Sequence, residues 1–203
     1  MRDLMLCKRK KRQPFNKIEA WQLLSRRKAF TALPWVKVYV DRIRLPSGRV
    51  ISDFYAIDLP EFVLIYAQAR NGKVLCQSQY HYADDKTGLS LPAGCLEKKE
   101  SPLEAAKREF REETGYMAQT WKFIGSYCVD SRRGCGKAHL FTAKGLKKIS
   151  RPLTDEMEEG DIFFIPPSRL IEAVMRGEVI SLAVAFLISL ATNPSLAKGG
   201  SKL

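Results

Sequence analysis

Three glutamates, Glu109, Glu112 and Glu113, are spaced so that a helix brings them together. At ~100° per residue they share one arc about a hundred degrees wide. Like charges three and four residues apart repel by ~0.2–0.5 kcal/mol per pair, so a purely structural helix gains nothing from them. A hard divalent cation reverses the sign, because Mg²⁺ takes carboxylate oxygens together with substrate phosphates. Arg108 adjoins Glu109 and precedes Glu112 by four residues, a position from which a guanidinium orients or partly neutralises both. On the same helical wheel Leu103, Ala106, Phe110 and Thr114 form an apolar face, while Glu104, Lys107 and Arg111 point to solvent. A charge-laced solvent face is the competing explanation of a run such as Lys107–Glu113.

The charge distribution favours the metal. The 203 residues carry 34 Lys+Arg against 22 Asp+Glu, a formal charge of +12 that on its own suggests a nucleic-acid partner. Residues 1–13 hold six of the basic groups against the single acid Asp3, while 11 of the 22 acids fall in two short windows, Glu97–Glu113 and Asp155–Asp161. Carboxylates gathered in this way suit a cation, and the cations around them suit a phosphate-bearing substrate. The longest apolar stretch, Val179–Ala191, is shorter than the ~18 residues of a membrane helix and reads as a buried helix. Five scattered cysteines without a CxxC pair indicate neither a disulfide framework nor a zinc site, and predict a cytoplasmic protein. The terminal Ser201-Lys202-Leu203 spells a peroxisomal address that has meaning only in a eukaryote.

Several elements must position this helix. After a basic arm (1–13), Asn16 is placed to cap a helix with Ile18, Trp21 and Leu24 on one side, ending before Pro34. Alternation from Trp35 to Leu45, a Pro46-Ser47-Gly48 turn and a returning strand from Val50 to Leu59 predict a hairpin. Glu61–Arg70 and Lys73–Gln79 predict a second about Asn71-Gly72. The helix from Ser101 to Thr114 follows, then strands at Trp121–Cys128, Ala138–Ala143 and Ile162–Ile165, and two terminal helices, the first capped by Ser168. The order predicts an α/β or α+β domain with an N-terminal extension.

From Gly94 to Tyr116 the chain resembles the Nudix box, G-x5-E-x7-R-E-U-x-E-E-x-G-U with U a bulky apolar residue. Gly94, Glu100, Arg108, Glu109, Glu112, Glu113 and Gly115 fill the fixed positions, and Phe110 and Tyr116 the U positions. The resemblance to the Nudix hydrolases implies an α/β/α sandwich around a mixed sheet, with the box as loop, helix and loop. It implies that Glu109, Glu112 and Glu113 ligate Mg²⁺, with Mn²⁺ as substitute, and that Gly94, Glu100, Arg108 and Gly115 support them. Beyond the box, Val36–Gly48, Gln79-Tyr80 and Leu91-Pro92-Ala93-Gly94 resemble the ADP-ribose pyrophosphatase and nucleoside diphosphate sugar hydrolase branch. That likeness implies a metal-binding carbonyl at Ala93, a general base or further ligand at Glu156 or Glu158, and a homodimer built through an antiparallel extension. The organisation expected is an arm (1–13), a helix and β extension for dimerisation (14–59), a Nudix domain (60–192) and a tail (193–203).

Departures from the branch concern the substrate. Ser90 stands where Glu is frequent, His81 where Arg is frequent, and the proline some sixteen residues after the box is absent. In its region Arg132, Arg133 and Lys137 with Gly134 and Gly136 form either a phosphate cradle or a plain surface loop. Trp35 and Tyr39, with Phe54 and Tyr55, are candidates to stack a nucleobase, core packing being the other fate of such rings. His81 is a substrate-contact candidate, and His139 reads as structural. The reaction the resemblance implies is Mg²⁺-dependent hydrolysis of ADP-ribose or a related nucleoside diphosphate sugar to a nucleoside monophosphate and a sugar phosphate. Action on RNA ends or caps, suggested by the arm, and nucleotide sensing without cleavage are the alternatives.

Overall fold

A computed structural model describes residues 19–153 and 161–193. The N-terminal arm, the acidic window holding Glu156 and Glu158, and the terminal Ser201-Lys202-Leu203 lie outside the described residues.

Strands β1 (Gln22–Ala32), β2 (Val36–Arg44) and β3 (Val50–Asp58) make a three-stranded antiparallel sheet. The helix expected from Asn16 towards Pro34 is therefore corrected: over Gln22–Ala32 the chain is a strand paired along its whole length with β2. Two register shifts, between Leu23 and Ser25 and between Lys28 and Phe30, break the alternation that would have marked it. Pairing with a neighbour then decided what a weak propensity did not. The β2–β3 hairpin closes through Gly48 at φ 84°, a left-handed conformation that suits glycine.

Next come β4 (Phe62–Gln68), β5 (Val74–His81), a 3₁₀ turn (Tyr82–Asp84), β6 (Lys86–Ser90), β7 (Ala93–Cys95) and helix α1 (Pro102–Thr114). They are followed by β8 (Tyr116–Asp130), β9 (Cys135–Lys148), β10 (Ile162–Ile165) and helices α2 (Pro167–Met175) and α3 (Leu182–Thr192). The seven strands form a mixed sheet in the order β10-β5-β4-β9-β8, with β6 on β5 and β7 on β4. Only β4 and β9 run parallel within it. The Asn71-Gly72 hairpin is present, although β4 and β5 pair only at Gln68–Val74.

Both faces of this sheet are buried. Val63, Ile65, Ala67, Phe141 and Ala143 pack against Ala105, Ala106 and the fully buried Phe110 of α1. Leu64, Tyr66, Val74 and Leu140 pack against Leu170, Ala173, Leu187 and Ile188 of α2 and α3. The expected α/β/α sandwich with a mixed sheet and a separate antiparallel extension is the architecture observed. Two local readings change. Ser168 lies inside α2, which starts with Pro167 after Pro166 and has no side-chain cap. Leu103 is 39% exposed, and Ala105 takes its place on the buried face of α1. Among the described residues no helix is long and apolar enough to cross a membrane.

Candidate active site

Helix α1 is fixed at both ends by local chemistry. Ser101 accepts a hydrogen bond from the Glu104 N–H, and the Glu104 carboxylate accepts one from the Ser101 N–H at 2.9 Å, a capping box that satisfies two otherwise orphaned donors. Gly115 ends the helix at φ 71°, its N–H donating to the Arg111 carbonyl. A side chain there would also run into the carbonyl oxygen of Ser150.

Between these ends Arg108 is the hub. Its Nε and Nη2 donate to the two oxygens of Glu100 at 2.9 and 2.8 Å, a bidentate pair. Its Nη1 donates to Glu109 at 2.8 Å and to Glu112 at 3.2 Å, and Nη2 also reaches the Cys95 carbonyl at 3.0 Å. The Arg108 guanidinium holds the Glu100 carboxyl below its ordinary pKa against the opposing effect of burial, and the carboxylates raise Arg108 in turn. Glu100 further accepts the Glu97 N–H at 3.0 Å, closing the loop that precedes the helix. Glu113 accepts from the Ala93 N–H at 3.1 Å and from Gln77 Nε2 at 3.3 Å. The loop strand β7, the helix α1 and the strand β5 are joined through one carboxylate.

The glycine at 94 has a direct spatial cause. A Cβ at that position would overlap the Glu109 carboxylate, so a side chain there would have to push the first glutamate of the triad off its seat over β7. Ala93 is beside it, paired with Leu64 of β4. Ala93, Gly94, Glu100, Arg108, Glu109, Glu112 and Glu113 are thus brought together by β7, the loop after it and α1, while Gly115 ends the helix.

A divalent cation is compatible with this donor set. It offers hard carboxylate oxygens on one helix face and a strand passing close beneath them, and the single guanidinium offsets only part of the charge. Among the described residues no three acidic, imidazole or thiol side chains already converge as a metal cage. Glu109 and Glu112 are turned to Arg108, and Glu113 to Gln77 and Ala93. A cavity of about 710 Å³ follows the outer side of α1, touching Glu100, Lys107, Arg108 and Arg111 and reaching Trp121, but none of the three glutamates lines it.

The other candidate residues are dispersed. Trp35 is 67% exposed at the β1–β2 turn. Tyr39, in the extension sheet, lies under the Arg26 guanidinium at 4.6 Å. His81 ends β5 with its Nε2 buried and without a hydrogen-bond partner among the described residues. Arg132 and Arg133 lie on the β8–β9 hairpin, where Arg133 pairs with Asp130 at 2.9 Å, and Lys137 pairs with Glu61 at 2.7 Å. His139 is buried, as a structural histidine should be. Its Nδ1 lies 2.6 Å from Ser126 Oγ and its Nε2 2.6 Å from Glu61. Sequence reasoning missed Gln77 and Glu61. Gln77 is 36 residues from Glu113, and Glu61 is 78 from His139, distances that only strand order closes.

Comparison with known proteins gives the family. Residues 59–180, more than half of the chain, match the NUDIX domain, and residues 21–57 match the nucleoside diphosphate sugar hydrolase N-terminal domain. The chain belongs to the Nudix hydrolase family, in its ADP-ribose pyrophosphatase-like part. It is 34% identical over 113 residues to a methanol dehydrogenase activator of Bacillus methanolicus, covering 56% of this chain and 60% of that one. Against an ADP-ribose pyrophosphatase of Mycobacterium tuberculosis it is 30% identical over 155 residues, 73% of each chain. A crystal structure described as an ADP compounds hydrolase superposes with a TM-score of 0.76 at 16% identity, covering 92% of this chain and all of that one, which is agreement in fold. Nudix hydrolases generally use divalent metal ions.

Proposed function

We propose that the protein is a Mg²⁺-dependent pyrophosphatase that hydrolyses ADP-ribose or a related nucleoside diphosphate sugar to a nucleoside monophosphate and a sugar phosphate. The observation that carries this is the complete box folded into one assembly, with Glu109 against Gly94, Arg108 clamped by Glu100, and Glu113 tied to Ala93. The match of residues 21–57 to a nucleoside diphosphate sugar hydrolase domain supports a sugar-linked substrate over RNA ends.

Mg²⁺ or Mn²⁺ would be held by the carboxylates of Glu109, Glu112 and Glu113 and the carbonyl oxygen of Ala93, and when bound such an ion polarises phosphoryl oxygens and acidifies water. The chain supplies the rest. Arg108, locked by Glu100, sets the orientation of Glu109 and Glu112 and keeps the carboxylate face from repelling a pyrophosphate as strongly as three bare charges would. In the reaction a water oxygen bonds to one phosphorus, the anhydride bond to the other phosphate breaks, and the water proton passes to a carboxylate. Glu156 or Glu158 is proposed as that general base or as a further metal ligand, with Glu112 and Glu113 as the other catalytic carboxylates. Trp35, Tyr39, His81, Arg132, Arg133 and Lys137 remain the proposed substrate contacts. The 14–59 segment is proposed to form a homodimer, which would cover the exposed Trp21, Leu23, Phe30 and Tyr55 of its sheet.

Assay of the purified protein with ADP-ribose, ADP-glucose and GDP-mannose, each with and without Mg²⁺, tests the reading. Turnover of at least one, lost in Glu112→Gln and in Glu113→Gln with the fold intact, is expected. No turnover of any of the three sinks it.

A further inference from the structure

On the sheet face that carries α2 and α3 the side chains change character abruptly. Leu64 and Leu140 lie side by side in the core there, with Ile124 packed against them. One row further on the positions read Tyr66, Thr142 and Lys122, and the next row reads Gln68, Lys144 and Thr120. Five polar side chains and the hydroxyl end of Tyr66, whose ring still belongs to the core, thus follow an apolar layer on the same face. A cavity of about 550 Å³ covers them, walled by Pro167 and Ile171 of α2 and by Leu190 and Thr192 of α3. That is within the ~300–1,000 Å³ of small-molecule sites. It lies on the opposite side of the sheet from α1, whose packing partners belong to the other core cluster.

The charge lining it, on the exposed Lys122 and Lys144, is one-sided. Lys122 pairs in register with Thr142, and Lys144 with Thr120, so the two lysines are diagonal neighbours ~7–8 Å apart at most between their Cβ atoms. Among the described residues no carboxylate lines the cavity. Neither ammonium makes an ion pair or hydrogen bond among the described residues. Two like charges beside each other with no counter-ion destabilise a sheet, whereas both can turn onto one phosphate. The hydroxyls of Thr120 and Thr142, and of Tyr66 on the cavity floor, offer neutral donors to the remaining oxygens. Tyr66 is held protonated there, burial pushing its hydroxyl up to about 12. The start of α2, at Pro167, adds the positive end of a nine-residue helix that no side chain caps.

We propose that this cavity is a second ligand site, for a phosphomonoester or free phosphate, separate from the Nudix box. Its ligand is anionic and small, and binding needs neither the metal nor turnover.

Titration of the full-length protein with inorganic phosphate at constant ionic strength, followed by amide resonances with chelator present, tests it. Saturable shifts centred on Lys122, Thr142 and Lys144 are expected. Lys122→Gln combined with Lys144→Gln should weaken binding at least tenfold, and Thr142→Val should weaken it less, while Glu112→Gln leaves it unchanged. The same spectra report whether each variant is folded. Adenosine monophosphate as a second probe separates the sources: tighter binding than phosphate assigns the site to a nucleotide, and equal binding assigns it to free phosphate. Shifts that do not saturate, that centre on the box, or that survive in the double lysine variant overturn the proposal.

Discussion

The seven-stranded sheet and the three-stranded sheet solve the same problem in opposite ways. In the first, β4 is buried from Val63 to Ala67, with helices on both faces. In the second, only Asp41 and Ile43 of β1–β3 are buried, and Leu23, Phe30 and Tyr55 are each more than half exposed. The core sheet is held by area removed from water. The extension depends on pairs within the sheet: Arg26 to Asp41 at 2.7 Å through both oxygens, Lys37 to Asp58 at 2.8 Å, Trp21 edge-on to Phe54. One hairpin joins them, the Ile57 N–H donating to the Arg133 carbonyl at 3.0 Å while Lys137 and His139 grip Glu61 just past the linker. The site was built on the sheet that is self-sufficient. The other sheet leaves large apolar side chains, Leu23, Phe30 and Tyr55, exposed among the described residues.

The comparison breaks first in the core. Phe110→Ala empties a fully buried position under the sheet and should cost about 3–5 kcal/mol, read as a lower denaturant midpoint at unchanged slope. Gly94→Ala should cost less, about 1–3 kcal/mol, because the new methyl group displaces the Glu109 carboxylate instead of opening a void. Its larger effect is expected on turnover, at least ~10-fold, since a carboxylate forced off its seat no longer matches Arg108. Turnover equal to wild type in Gly94→Ala would show that the close approach of β7 to Glu109 has no functional weight.

The extension should respond to acid through its own buried carboxylate, as the Nudix domain does through Glu100 and Glu61. Arg26 holds the Asp41 carboxyl below its ordinary value of 3.8. A depressed folded pKa means stability that is fully present above that ordinary value and is lost as pH falls through the lower folded one. Asp41→Asn should remove this dependence and cost about 1–2 kcal/mol, less than a fully buried pair because Arg26 is 45% exposed on its side chain. Amide exchange in β1–β3 against pH, in the wild type and the variant, measures it. Identical pH profiles would show that the pair contributes nothing.

What could be read from the sequence follows from the range of the forces. The box helix was legible, because its period, its glycines and its charges are all local, and the loop-helix assembly is where those residues meet. Strand β1 was not, because two bulges hide its alternation and Trp21 and Leu24 happen to repeat at helical spacing. The strands β6 and β7, five and three residues long, are too short to show a period. Asp41 alternates with valines as an outward-facing polar residue would, yet it is among the most buried of its sheet, since Arg26 from the neighbouring strand covers it. Gln77 beside Glu113 required the strand order. Each of these depends on a partner far along the chain.

The sharpest test sets two phenylalanines against each other. Phe110 is fully buried and Phe30 is 56% exposed. If the extension is completed only by a second copy of the chain, Phe30→Ser should leave the unfolding of the core sheet within ~0.5 kcal/mol of wild type, since the monomer loses little contact. Its effect should be on association, a dissociation constant raised roughly 10- to 100-fold, about 1.4–2.7 kcal/mol, as for a central apolar contact of an interface. Sedimentation over a concentration series reads the second quantity and chemical denaturation the first. A Phe30→Ser protein that loses as much core stability as Phe110→Ala, with its association state untouched, would mean that the extension packs on its own domain and the two sheets are not the opposites they look.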